Sequence, residues 1–157
     1  MGLARVLSRA CVGVQAPEIA VEVHLGGGLP SLSIVGLPET AVKEARDRVR
    51  AALLNSGFDF PASRVTISLA PAELPKEGGG FDLPIALGIL AASGQANPDL
   101  LPDCEFLGEL SLSGELRGVR GVLPAAMKAV AKDRTLVVPS QNEKEAALLR
   151  QGQLLCA

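Results

Sequence analysis

The sequence predicts an α+β fold, a mixed sheet packed with helices, and three observations carry that expectation. In the first third, three short alternating segments follow one another with no helical stretch between them, which suggests an antiparallel meander rather than a βαβ start. Helical spacing then appears near residues 39–56, 82–93 and 121–132, with β-type runs between these blocks. The chain has 157 residues, 48% of them hydrophobic and 20% charged, and no low-complexity tract, so one domain over 1–157 has enough apolar material for a core.

Ala4 to Val14 alternates loosely, with Val6 and Val12 among small and polar residues. The run from Ile19 to Leu25 is a cleaner strand that places Ile19, Val21, Val23 and Leu25 on one face. Gly26-Gly27-Gly28 and Pro30 form a turn, and Leu32 to Val35 is a third short strand. A helix follows from about Glu39 to Ser56, with Pro38 in its first turn and Gly57 as its stop. Val42, Ala45, Val49 and Leu53 share one side of it and are expected to face the sheet, and Glu39 and Lys43 are spaced for an i,i+4 pair.

Val65 to Leu69 is the next strand, followed by a proline-rich loop and the triplet Gly78-Gly79-Gly80. Asp82 precedes an apolar helix reaching Ser93, where its carboxylate is expected to favour the helix N-terminus. Beyond a loop at Asn97 to Pro102, Phe106 to Leu112 and Glu115 to Val119 read as a hairpin turning at Ser113-Gly114. Gly121 opens a helix through Lys132, Thr135 to Val138 is a buried strand, and Ser140 with Glu143 suggests a capping box. Gln153 to Cys156 begins a last strand, and the lack of a polar tail after it suggests a cut chain.

Composition excludes several functions. Fifteen Lys+Arg against seventeen Asp+Glu give a net charge of −2, which does not describe a strongly basic nucleic-acid module. Four Phe and no Tyr or Trp argue against a fold built on aromatic base-stacking platforms. Cys11, Cys104 and Cys156 are widely spaced and odd in number, so they fit neither a disulfide framework nor a zinc site and read as reduced thiols packed as small apolar residues. His24, the only histidine, reads as a strand residue. The longest uncharged run, Leu83 to Pro98, is interrupted by polar residues and falls short of a membrane span, and no signal peptide is visible, so a cytoplasmic protein without membrane contact is expected.

No Gly-Lys dipeptide and no G-x-G-x-x-G spacing occur, so neither a P-loop nor a dinucleotide fingerprint is encoded, and no cofactor is expected in this chain. Glu73, Glu77 and Asp82 crowd the loop around Lys76, and an acid there is a general-base candidate, although a helix-terminal Asp82 with Glu77 and Lys76 as solvated loop charges explains them as well. No serine sits in a nucleophile elbow. One feature is suited to nucleic acid. Lys43, Arg46 and Arg50 form a basic stripe on the first helix, with Arg48 to one side and Glu44 and Asp47 diluting the field. Such a stripe can hold a phosphate backbone without reading bases.

The blocks Val35-Gly36-Leu37-Pro38-Glu39-Thr40 through Arg50, Leu69-Ala70-Pro71-Ala72-Glu73-Leu74-Pro75-Lys76-Glu77-Gly78-Gly79 and Asp82-Leu83-Pro84-Ile85-Ala86 resemble the opening of magnesium-chelatase-like AAA+ ATPases of the ComM (YifB) type. So do Gly13 to Pro17 and Val21 to Leu25, and the likeness runs over nearly the whole chain. The resemblance implies the fold of Lon protease domains and of the second domain of a small-subunit ribosomal protein. It also implies a downstream AAA+ motor, absent from this chain, that would use ATP and Mg²⁺, work as a homo-oligomeric ring and process DNA by branch migration during natural transformation. The domain itself would be non-catalytic. Alternatives from other classes are a Lon-type peptidase and a chelatase-like motor remodelling a protein partner. A Lon-type site pairs a serine with a lysine, and the resemblance puts Gly80 where the serine would be and Leu123 where the lysine would be, with Lys128 five residues further along.

Overall fold

Strand β1 (Leu3–Arg9) runs antiparallel to β2 (Glu18–Gly26), with Leu3 opposite His24 and Arg9 opposite Glu18. The computed structural model describes residues 2–147 and 154–156. Alternation in β2 becomes burial as expected: Ile19, Val21, Val23 and Leu25 are buried, and His24 is an exposed strand residue. Because β1 ends at Arg9, Val12 and Val14 lie in the following turn and are exposed.

The expected meander does not form. From β3 (Ser31–Val35) the chain passes through α1 (Thr40–Lys43) and α2 (Ala45–Asn55) into β4 (Arg64–Ala70), which lies between β2 and β3. Strand β4 is antiparallel to β2 and parallel to β3, so this segment is a βαβ unit. Burial explains the order. Val65, Ile67 and Leu69 of β4 are fully buried and suit the sheet interior, whereas β3 exposes Ser31, Ser33 and Val35 and suits an edge.

The rest of the chain comprises α3 (Asp82–Ala92), a 3₁₀ turn (Pro98–Asp103), β5 (Cys104–Phe106), β6 (Glu109–Leu110), β7 (Leu116–Arg117), α4 (Val122–Ala131), β8 (Thr135–Val138), a second 3₁₀ turn (Ser140–Asn142), α5 (Glu143–Ala146) and β9 (Leu154–Cys156). The main sheet is mixed, in the order β3-β4-β2-β1-β5-β8-β9, and β5, β8 and β9 extend it in parallel from β1. Within the expected last strand, Gln153 lies outside the described residues. The hairpin is shorter than expected, because Phe106 belongs to the main sheet and only β6 and β7 pair, turning through Gly114 at φ +95°.

Helix α3 covers the centre of the sheet, with Ile85 and Ile89 fully buried. Gly88 permits the approach: a Cβ there would stand 2.5 Å from Val23 Cγ2. The expected inner face of the first helical segment is also buried at Val42, Ala45, Val49 and Leu53. That segment is not one helix, however. It is interrupted at Glu44, where the Arg48 guanidinium donates to the Ala41 carbonyl at 2.7 Å, the acceptor the helix ladder would offer to Ala45. The i,i+4 ion pair found there is Glu44 with Arg48, at 3.9 Å.

A second apolar cluster joins Val122, Ala125, Ala126 and Ala129 of α4 to Leu136 and Val138 of β8. The Ser140–Glu143 capping box is absent, since neither short helix there has a side-chain cap. Asn142 is buried instead and holds Val119 by both amide atoms, accepting from its N–H at 2.9 Å and donating to its carbonyl at 2.8 Å. Among the described residues, no helix is long and apolar enough to cross a membrane.

Candidate functional site

Lys43, Arg46 and Arg50 are all exposed, but the structure divides them. Arg46 and Arg50 share the outer face of α2, and Lys43 sits on α1 beyond the interruption. The two arginines, with Asp47, line a surface hollow of about 380 Å³ closed on its other side by Ser31, Leu32 and the segment Phe60 to Ser63. Lys43 is not part of its wall. The Arg50 guanidinium carbon lies 5.5 Å from the centroid of the Phe60 ring, a cation–π distance. Sequence reasoning gave Phe60 no role, because aromatics are sparse and nothing in the local pattern links it to a residue ten positions earlier.

Arg48 points the other way. Its Nε and Nη2 donate to the two Asp82 carboxylate oxygens at 2.7 and 3.0 Å, and the Leu110 amide donates to Asp82 at 3.0 Å. Asp82 stands in the first turn of α3, as expected, but its carboxylate does more than favour the helix end. It opens α3 but makes no cap, and it is buried as the link between α2, α3 and β6. Burial raises the Asp82 pKa, opposed by the Arg48 hydrogen bond and the Leu110 amide. The hydrogen bond to Asp82 raises that of Arg48 against burial. With both oxygens engaged, Asp82 is a structural acid and not a free base.

Lys76 departs from expectation. Expected as a solvated loop charge, it is fully buried, and its Nζ donates to the Gly36 carbonyl at 2.6 Å and to the Pro71 carbonyl. Its backbone completes the stitch: Lys76 N–H donates to Leu37 at 3.1 Å, and Glu39 N–H donates to Lys76 at 2.8 Å. Burial lowers the Lys76 pKa, partly opposed by Glu73. Glu73 and Glu77 are exposed, as expected of loop charges.

Beyond Lys76 the glycine triplet forms one wall of a cleft of about 510 Å³, faced by Leu107, Glu109, Gly118 to Arg120, Arg9 and Cys11. Gly80 lines this cleft, while Leu123 does not; the Leu123 amide is held by Glu145 at 2.9 Å. Lys128 is exposed on α4, away from the cleft wall. The lining residues include no serine, threonine or lysine. Cys11 is exposed and so departs from the expectation of packed thiols, since β1 ends two residues before it; Cys104 is half-buried, and the Cys156 side chain lies outside the described residues.

The glycine loop is not built as a P-loop. A phosphate cradle needs open backbone donors and a lysine aimed at the phosphates. Here the Asp82 and Leu83 amides already donate to Gly79 and Gly108, residue 84 is proline, and Lys76 is turned onto backbone carbonyls. Arg9 is also committed, donating to Glu105 at 2.7 and 2.8 Å beside Arg134 at 3.1 Å from the same carboxylate. Among the described residues, no group of three or more His, Cys, Asp or Glu is placed to hold a metal ion.

Comparison with known proteins adds the following. The family described as "Subunit ChlI of Mg-chelatase" matches residues 21–142. Competence protein ComM of Haemophilus influenzae is 57% identical over 149 residues, covering 95% of this chain and 29% of that protein. Protein YifB of Escherichia coli is 54% identical over 157 residues, 100% of this chain and 31% of that protein. An uncharacterized protein of Mycobacterium tuberculosis is 42% identical over 151 residues, 95% of this chain and 30% of that protein. The chain therefore spans about three-tenths of the length of these relatives.

Proposed function

The chain belongs to the ComM-type, magnesium-chelatase-like family, and on that premise we propose that it is a non-catalytic domain by which a AAA+ ATPase engages DNA. The carrying observation is the outer face of α2, where Arg46 and Arg50 are exposed and, among the described residues, make no ion pair. Exposed guanidinium groups without a carboxylate partner are suited to phosphate oxygens, and Lys43 beyond the interruption extends the contact along a backbone. The word competence in the name of the Haemophilus influenzae relative is consistent with this substrate.

The same reading assigns the chemistry elsewhere. ATP and Mg²⁺ would be held by a motor in the part of the protein that this chain does not span, working as a homo-oligomeric ring in the cytoplasm. The domain would keep the shape of a Lon-type protease domain without its reaction. Gly80 in the cleft wall and Leu123 outside it support that view, because neither a nucleophile nor a base stands where the dyad would be.

The test is binding of labelled DNA by this chain at low salt. Weak binding that falls steeply with salt, with no preference among sequences, is expected, and changing Lys43, Arg46 and Arg50 together to Glu should abolish it. Binding that survives the triple reversal would place the contact on another surface and sink the proposal.

A further inference from the structure

The hollow beside α2 differs from a plain basic surface in containing a ring. Phe60 is half-buried and carries the Arg50 guanidinium at 5.5 Å, and Arg46 stands one helical turn before Arg50 on the same face. All three line one space of about 380 Å³. That volume lies at the lower end of the range of about 300–1,000 Å³ for small-molecule sites, a size suited to one nucleotide and not to a duplex. A guanidinium stacked on an aromatic ring is a flat, polarised platform, and unpaired bases stack on both kinds of surface.

We infer that this hollow receives one unpaired nucleotide, with its phosphate on Arg46 and its base against the Arg50–Phe60 stack, so that the domain prefers single-stranded to duplex DNA. The inference rests on the DNA reading above and adds the strandedness of the substrate and the residues that select it. In a duplex each base is paired and stacked on both sides, so no base face is open to the protein, and cations alone would hold either form. Only a base that has left the stack can lie on the platform that the Phe60 ring and the Arg50 guanidinium make. Asp47 lines the same hollow, and its carboxylate repels a phosphate placed on Arg46.

The test compares a labelled oligothymidylate with a duplex of equal length, at low salt, on this chain and three variants. Arg50→Lys keeps the charge and removes the plane. Phe60→Leu keeps apolar packing against the core and removes the π face, and its fold is checked by thermal melting; Arg50 is exposed, so its variant stands whether or not Phe60→Leu folds. Each should lower single-strand affinity by about five- to a hundredfold, the usual loss for one stacked base, and by clearly more than it lowers duplex affinity. Asp47→Asn should strengthen both. Equal binding of single strand and duplex, unaffected by Arg50→Lys or Phe60→Leu, would overturn the inference and leave a phosphate-only face. Displacement of the oligonucleotide by polyglutamate, with no dependence on Phe60, would overturn it in favour of an acidic peptide. Absence of any DNA binding would remove the DNA reading itself.

Discussion

Replacing Arg48 with Met strands a carboxylate whose side chain is 1% exposed. Asp82 loses the donors at 2.7 and 3.0 Å and keeps only the Leu110 amide. An uncompensated buried carboxylate costs about 3–5 kcal/mol at neutral pH, and Met retains much of the apolar stem, so little of the loss is cavity. Asp82→Asn is the milder change. Arg48 is 20% exposed and can turn its charge to water, while Asn still accepts from Leu110, so lost hydrogen bonds of about 1–3 kcal/mol are expected. The two variants also differ in their response to pH. Burial holds the Asp82 pKa above its ordinary value, and losing Arg48 removes the hydrogen bond that opposes this. A carboxyl raised in the folded state binds more protons there than in the unfolded chain, so its contribution to stability falls as pH rises between the two pKa values. The Arg48→Met penalty should therefore shrink on acidification from about pH 7 to about pH 5, and Asp82→Asn, which has no such group, isolates the effect. Urea unfolding of both variants at the two pH values measures it. A gap between the variants that is absent at neutral pH, or that widens on acidification, would refute the reasoning.

Three other expectations can be checked on the same chain. Glu105 is fully buried between Arg9 and Arg134, and Glu105→Gln should cost about 3–5 kcal/mol, read as a lowered melting temperature, because it leaves the buried Arg9 charge only the more distant Glu18 carboxylate at 4.0 Å. Gly36 has φ +108° and a Cβ there would stand 2.2 Å from the Leu69 carbonyl oxygen, so Gly36→Ala should lower stability by about 2–4 kcal/mol in denaturant titration, combining backbone strain with a contact that backbone cannot relieve. At Gly80 a Cβ meets its nearest neighbour, Leu107 Cδ2, at 3.5 Å; Gly80→Ser should change stability by no more than about 0.5 kcal/mol. It should also gain no fluorophosphonate labelling, because no lysine lines the cleft to activate the hydroxyl.

Local periodicity determined a good deal. The apolar positions of β2, the inner face at Val42, Ala45, Val49 and Leu53, the burial of α3 and the strand at Thr135 to Val138 are legible because each follows from which side of one element is apolar. The exposure of Lys43, Arg46 and Arg50 is legible for the same reason. The blocks that resemble the ComM-type family are equally a property of the sequence. What the sequence left open is every choice of partner. The insertion of β4 between β2 and β3 depends on which strand has both faces covered, and no single strand declares that alone. Arg48 finds Asp82 across 34 positions and Arg9 finds Glu105 across 96, and no local pattern in the sequence links either pair. Lys76 read as solvated because it lies in a loop beside the acids Glu73 and Glu77, yet the carbonyls of Gly36 and Pro71 meet around it only after β3 and β4 pair. Phe60 joins Arg46 and Arg50 because the loop entering β4 folds back along α2. A charge or a ring takes its energy from what surrounds it. Those surroundings come from residues far apart in the chain, so only the tertiary structure decides them.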